Sequence, residues 1–594
     1  MASAIALIAG CSPSNDEATA SLGIPSGGPG GLHGDPIKAP YLTDLNGNSA
    51  QSVAMRFGED GQLVQTQNSK IEIVPTPAPD GAPKPSGKVD PKKPAAGKPE
   101  MVPAPEGIPI EGTKPKQDPD KNAFPERVDG PEDYKTWDKP VVTLVVTCQQ
   151  NGYIEPCGCT GLDRQKGGVA RRYTLMKQLR DMGWTLVPVD AGNQVRRFGR
   201  QSEVKLQQSV RALKQMGYEA VGFGPADVRL GVGELLSVAV PESEDNALFV
   251  SSNVVLIDPE FMPSTKIVKQ NGYAIGITSA LDPEALEVEA AGEIGVEAIV
   301  PSVEKAGANL TESDVDYKVL MFYGKEKAAE KLVQKVPGFD LIIVAGGYGE
   351  PTYRPESIDD SKTKMIVTGN KGMYAGLVGF FLDAKDVIKY ARVPLSHEFG
   401  DAPEMRQLMK DYQNQLRDIG LEGLGLLPPI PHSSGEKFVG TAKCGECHTE
   451  AFEIWEGTPH AEATNSIIKP PKERGDIARH FDPECLSCHV TGWNPQEFYP
   501  YASGYLSLEK TEHLTGNGCE NCHGPGSGHS AAEAEGSSAT AEQRQAFRDS
   551  MKLPLEKARD KCMECHDLDN SIDFHEEDAF EDIYWPQVEH YGKE

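Results

Sequence analysis

Four pentapeptides of one form, C-x-x-C-H, crowd the last third of this 594-residue chain. They are "CGECH" (Cys444, Cys447, His448), "CLSCH" (Cys485, Cys488, His489), "CENCH" (Cys519, Cys522, His523) and "CMECH" (Cys562, Cys565, His566). Zinc uses C-x-x-C knuckles but has no need of a histidine directly after the second cysteine. A disulfide framework leaves the four abutting histidines unexplained. Covalent haem explains both residue types. The two thiols add across two vinyl groups, and the adjacent imidazole reaches the iron from the same side. Four c-type haems are therefore expected, with His448, His489, His523 and His566 as proximal iron ligands.

The sixth ligand of each iron must come from elsewhere. Outside the motifs the region holds His460, His480, His513, His529, His575 and His590, more histidines than irons to fill. The glycines of "CENCHGPGSGH" let the backbone pass close to a flat macrocycle. Bis-imidazole ligation would close the irons and favour electron transfer over small-molecule binding.

Eight cysteines belong to the motifs, leaving Cys11, Cys148, Cys157 and Cys159. "MASAIALIAGC" is a short apolar run ending in I-A-G-C, the pattern of a bacterial lipoprotein signal. It is too short to span a bilayer. It suits an h-region removed on export, with Cys11 then lipidated, although no Lys or Arg precedes it. An exported, periplasmic or cell-envelope protein held to the membrane by its lipid alone is expected, and export suits covalent haem. Cys148, Cys157 and Cys159 form a second group. One disulfide with a spare thiol is one reading; a thiolate metal site or a thiol–disulfide couple is the other.

A formal net charge of −29 excludes nucleic acid and an anionic lipid surface as partners. It leaves either an ordinary solvated surface or a docking face for a basic redox partner.

The chain is expected to divide into the signal and anchor (1–11), a Pro/Gly/Lys-rich disordered tether (12–136), an α/β domain (137–395), a helical connector (396–436) and a mainly α, haem-packed module (437–594). The stretch "PTPAPDGAPKPSGKVDPKKPAAGKPEMVPAPEG" cannot bury a core, though a few strands are expected near 40–75. Order begins at "PVVTLVVT", a continuous apolar run that reads as a buried strand. The helical segment after it places Val169, Tyr173, Met176 and Leu179 on one face. The strands "TLVPVD", "EAVGF", "ALFVSSNVV", "YKVLMFYG", "FDLIIVAGG", "AGLVGFFLD" and "VIKYARVPL" alternate with helices "VKLQQSVRALKQMG" and "EKAAEKLVQKV". "APEMRQLMKDYQNQLRDIG" reads as the connecting helix.

The α/β segment resembles the periplasmic nucleotidase branch of the metallophosphoesterases. The likeness rests on "VVTCQQNGYIEPCGC…GGVARR", "VPVDAGN", "MGYEAVGFGPAD", "VSSNV", "FDLIIVAGGYG" and "TGNKGMYAGLVGFFL". It implies a mixed α/β sandwich. Where that family places metal-binding Asp and His, this chain has Gln149 and Asn151. The bridging Asp is Asn193, the Asn-His pair is Pro225 and Ala226, and the late G-H-x-H is Gly346, Gly347, Tyr348 and Gly349. A two-metal hydrolase needs carboxylates and neutral imidazoles, yet no histidine lies between His33 and His397. No catalytic residue, no dinuclear metal and no phosphate-ester hydrolysis are expected; the scaffold is read as a binding or docking module.

The C-terminal region resembles the tetrahaem cytochromes that accept electrons from hydroxylamine oxidoreductase, through "KCGECHTEAFEIWEGTPHAEA", "ECLSCHVTGW" and "LTGNGCENCHGPGSGH". The resemblance implies that His460 and His529 are distal ligands. His480 and His590 look like ligand positions of related multihaem proteins, His575 is undecided, and His513 stands where the family uses no histidine. One haem of those cytochromes lacks a sixth protein ligand. The expected function is electron transfer between redox partners. A reductase or oxidase of a small nitrogen or sulfur compound at an open haem is the alternative. A nucleotidase is opposed by the missing ligands.

Overall fold

A computed structural model describes residues 55–57, 63–65, 133–156, 165–241, 246–347, 350–381 and 388–590. Cys11, Cys157, Cys159, Tyr348 and Gly349 lie outside the described residues. The chain divides into two compact units, 1–117 and 118–594. In the first, β1 (Met55–Phe57) and β2 (Leu63–Gln65) pair antiparallel, with Met55 opposite Gln65.

The second unit begins with β3 (Val142–Thr147), α1 (Val169–Asp181), β4 (Leu186–Asp190), α2 (Arg200–Met216) and β5 (Ala220–Val221). It continues through α3 (Val232–Ala239), β6 (Val254–Leu256), β7 (Lys266–Gln270), β8 (Tyr273–Leu281), β9 (Ile294–Val296) and α4 (Ile299–Glu312). Next come β10 (Tyr317–Tyr323), α5 (Glu326–Lys335), β11 (Leu341–Ala345), β12 (Glu356–Ser357), β13 (Lys364–Val367), β14 (Tyr374–Phe380), β15 (Ile388–Pro394) and α6 (Pro403–Gly423).

Two sheets result, in the orders β15-β14-β3-β4-β5 and β12-β13-β11-β10-β8-β7. Strand β3 is buried at every position because it pairs parallel with β4, antiparallel with β14, and is covered on both faces. Strand β10 shows how the second sheet serves two cores. Val319, Met321 and Tyr323 point into the core shared with the first sheet, while Leu320 and Phe322 join the α4 and α5 side chains Val303, Leu310, Leu332 and Val333. The sheets meet through Phe380 of β14, whose ring lies 5.3 Å from that of Tyr273 and 4.9 Å from that of Tyr317. With α1, α2 and α6 packed together on the first sheet, the layers run α-β-β-α.

Two boundaries differ from the sequence reading. Part of the expected tether is packed: Tyr134 is buried, and Trp137 just after it is buried and stacks on Trp184 with ring centres 5.9 Å apart. The 403–423 helix is a layer of the fold and not a bare connector. Met405, Leu408, Met409, Tyr412 and Leu416 fall at helical spacing and are all buried. On α1, Val169, Met176 and Leu179 are buried, whereas Tyr173 is half-buried at the rim.

The region from 437 onward is built of short helices around two small apolar clusters. One contains Phe438, Ile467, Leu486, Val490, Trp493, Tyr505 and Leu514, the other Ala558, Phe574 and Phe580. It seats on the loops that follow the carboxyl ends of β3 and β4. Arg479 Nε donates to Glu155 at 2.8 Å, Lys205 meets Glu484 at 2.6 Å, and Arg197 lies over the Phe498 ring at 3.5 Å. No helix among the described residues is long and apolar enough to cross a membrane.

If α6 is part of the core, Leu416→Ala costs about 2–5 kcal/mol of stability through lost burial and a residual cavity. A denaturant midpoint unchanged from the parent would return this helix to the role of a linker.

Candidate haem-ligating site

A single helical turn puts residues i, i+3 and i+4 on one side, which is how each motif presents its two thiols and its imidazole together. "CENCH" is itself the helix Cys519–His523, and "CLSCH" closes the helix Pro483–His489. In "CGECH" and "CMECH" the turn is completed by His448 N donating to the Cys444 carbonyl at 3.0 Å and His566 N to that of Cys562 at 2.8 Å.

The imidazoles come in twos. His448 faces His529 with ring centres 6.1 Å apart, His566 faces His460 at 6.1 Å, and His523 faces His590 at 5.7 Å. A metal–imidazole bond of about 2.0–2.1 Å, with roughly 1.2 Å more to each ring centre, would let two rings share one metal at a separation of up to about 6.4–6.6 Å. The observed spacings fit one iron between each pair. Among the described residues no three His, Cys, Asp or Glu side chains converge to hold a bare metal ion. Zinc needs more ligands than two, whereas a porphyrin leaves its iron two axial positions.

Ring orientation is set by the other nitrogen. Nδ1 of His489 donates to the Ala463 carbonyl at 2.7 Å, Nδ1 of His523 to that of Met551 at 2.8 Å, and Nδ1 of His590 to that of Val588 at 2.8 Å. His566 Nδ1 is hydrogen-bonded to Ser571 Oγ at 3.0 Å. Each leaves Nε2 for a metal. The buried Nδ1 atoms of His529 and His480 have no protein partner, a state that costs about 1–3 kcal/mol when nothing binds the atom. Burial also lowers the pKa of His460, His480, His489, His523 and His529, and takes that of His566 down to about 4. Neutral rings are the form that binds iron.

The remaining histidines separate by geometry. His575 Nε2 donates to the His566 carbonyl at 2.7 Å, so it braces the fourth motif. His513 is exposed. His480 packs on Phe481 with ring centres 4.0 Å apart, while His489 lies within electrostatic reach of His460, the ring that faces His566. Spacing along the chain gave no sign of the backbone acceptors Ala463 and Met551 or of Ser571. Nor did it mark Glu520, a buried carboxylate that accepts from Val439 N, Gly440 N and Gly526 N.

The motifs are contiguous. Cys444 lies beside Cys519 and Cys565 beside Cys488, and Cys522 lies within electrostatic reach of Cys562 and Cys565. This sets the order first, third, fourth, second.

In the α/β domain the positions singled out by resemblance also converge. Asn193 Nδ2 donates to Asn151 Oδ1 at 2.7 Å, Ala226 N to Asn193 Oδ1 at 2.9 Å, and Gln149 Nε2 to the Gly347 carbonyl at 3.2 Å. Gln149, Asn151 and Asn193 all adopt left-handed backbone, with φ of 46°, 53° and 65°. Pro225 and Gly346 flank this network and donate nothing to it from a side chain. Nearby, Asp190 pairs with the fully buried Arg172 at 4.0 Å. Cys148 is a buried thiol that donates to the Gly369 carbonyl at 2.9 Å, and burial pushes its pKa up to about 12.

These features define a c-type cytochrome module carried by the same chain as an α/β sandwich. Residues 443–524 match the family described as cytochrome c554 and c-prime. Cytochrome c-554 of Nitrosomonas europaea is 34% identical over 97 residues, 15% of this chain and 39% of that protein. The chain thus spans about two-fifths of the curated relative's length, and the family match at 443–524 includes three of the four motifs. Covalently bound c-type haem follows from that kinship. Among solved structures, the chain is similar to the sulfate thiohydrolase SoxB of Thermus thermophilus, at 17% identity and a TM-score of 0.40 over 50% of this chain and 64% of that one. A 5'-nucleotidase precursor, also from Thermus thermophilus, is 16% identical with a TM-score of 0.40, over 57% and 80% of the two chains.

Asp227 accepts from Asn193 N at 2.7 Å, Gly224 N at 2.9 Å and Val195 N at 3.2 Å, and burial nevertheless raises its pKa to about 7. An unfolded Asp titrates near ~3.9. Between these values the native state holds a proton that the unfolded chain has lost, so stability falls as pH rises from about 4 through 7 and then levels. Asp227→Asn is expected to flatten that slope in denaturant midpoints taken at pH 5 and 7.5. Parallel slopes in parent and variant would rule the assignment out.

Proposed function

We propose that this chain is an exported electron carrier holding four c-type haems, tethered through Cys11 and exchanging electrons with redox proteins, a basic docking face among them. The observation that carries the reading is the set of three imidazole pairs at iron-spanning distance. In this reading His448 with His529, His523 with His590 and His566 with His460 close three irons. Filled axial sites suit electron transfer, and the contiguous motifs suit a conduit. The α/β domain is a catalytically dead docking module, because amides and glycines stand where a dinuclear centre needs anions and imidazoles.

One observation favours a second reading. The three facing pairs use His448, His523 and His566 and leave His489 outside them, so the second haem is where a small nitrogen or sulfur compound would reach iron. On the carrier reading that iron takes only electrons.

Electron paramagnetic resonance on the oxidised protein tests the ligand pairing, and a turnover assay separates the two readings. Three low-spin haems and one high-spin haem are expected. Turnover of nitrite or hydroxylamine at that haem would favour the enzyme. His529→Ala, His590→Ala and His460→Ala are each expected to add one high-spin haem with covalent haem retained, and His575→Ala to add none. A His529→Ala spectrum identical to the parent would break the pairing. Phosphate release from 5'-AMP with added Mn²⁺ is expected to equal the blank; release abolished by Asn193→Ala would overturn the dead-domain reading.

A further inference from the structure

The loop between His566 and His575 is held from two sides. On the inside, Ser571 Oγ bonds His566 Nδ1, and Ser571 itself is 1% exposed. Asp567 winds the loop, its Oδ1 accepting from Asp569 N at 2.9 Å and Asn570 N at 2.8 Å, and its carbonyl from Ser571 N at 2.8 Å. On the outside, the Asp569 carboxylate is gripped by the α/β domain: Oδ2 meets Arg196 at 2.6 Å and Oδ1 meets Lys371. Lys371 is itself anchored, since its backbone N donates to the Gln149 carbonyl at 2.6 Å and its side chain is only 12% exposed. Both cations lie at the mouth where Gln149, Asn151 and Asn193 gather.

The geometry points to Arg196 and Lys371 as positioning residues for the fourth haem: through Asp569 they hold the loop that orients His566, and their charge offsets the Asp569 carboxylate beside that haem and so sets its reduction potential. This rests on the reading of His566 as an iron ligand. The degenerate mouth would then have a resident partner, the chain's own haem region. The physical reason is one of sign. An uncompensated anion near a haem favours the oxidised, more positive iron and lowers its potential, and an uncompensated cation raises it. Lys371 is the buried cation of the two, at 12% exposed against 58% for Arg196, so most of the effect is expected from Lys371, where screening is weaker.

The test is a spectroelectrochemical titration of the full-length protein, with haem content and spin state measured on the same samples. Arg196→Gln combined with Lys371→Gln leaves Asp569 bare, and one of the four midpoints is expected to fall while the others stay. Asp569→Asn removes this carboxylate from beside the two cations, and the same midpoint is expected to rise. The triple variant is expected to return it close to the parent. A distortion of the fold would not reverse sign in this way. No movement of any midpoint, or movement in the same direction in both variants, overturns the inference. A haem count below four or a missing low-spin signal in the parent protein would instead count against the ligand reading itself.

Discussion

The structure of the C-terminal region depends on the distance between imidazoles. Rings held about 6 Å apart do not hydrogen-bond to each other, and His529 among them buries an Nδ1 that no protein group satisfies. Such pairs are costly unless something links them. A porphyrin iron is the link that matches the spacing, the two-ligand stoichiometry and the adjacent thiols at once. The small apolar clusters around Leu486 and Phe574 make the same point from packing. A region with so little core of its own needs a staple, and a thioether-anchored macrocycle brings apolar surface and covalent cross-linking together.

The α/β sandwich contributes a rigid edge. Its first sheet turns the carboxyl ends of β3 and β4 toward the haem region, which is the side where open α/β sheets bind ligands. Here that edge is filled by self-satisfied amides and by ion pairs to the neighbouring region. Gln201 and Gln413 both donate to Asp482, which caps the helix bearing Cys485 and Cys488, and Lys205 meets Glu484 in its first turn. The second and fourth motifs therefore lean on the sandwich, whereas the first and third are held by Glu520 and the Met551 carbonyl within their own region.

Much of this was legible in the sequence where a signal is local. Mostly apolar runs gave β3, β4, β10, β11 and β14, since strands buried on both faces carry no alternation to mislead. The edge strand β7 did not show, because its "KIVKQ" is short and half polar. Helix α4 was hidden by Pro301, a residue that reads as a breaker yet is tolerated in a first turn. Motif cysteines and proximal histidines are local by construction. Their trans partners are not. Nothing in the spacing of His575 says that its Nε2 is spent on a carbonyl, or that His590 closes on His523 from the far end of the chain. The ion pair of Lys371 with Asp569 joins residues 198 apart, and only the folded sandwich brings them together.

The central claim is that each pentapeptide carries one covalently attached haem. Intact mass of the mature full-length protein, taken after denaturation, tests it most directly. The account predicts a mass above that of the polypeptide by four haem units, retained when all non-covalent contacts are gone. A bare polypeptide mass, or iron and porphyrin that separate on denaturation, would contradict it.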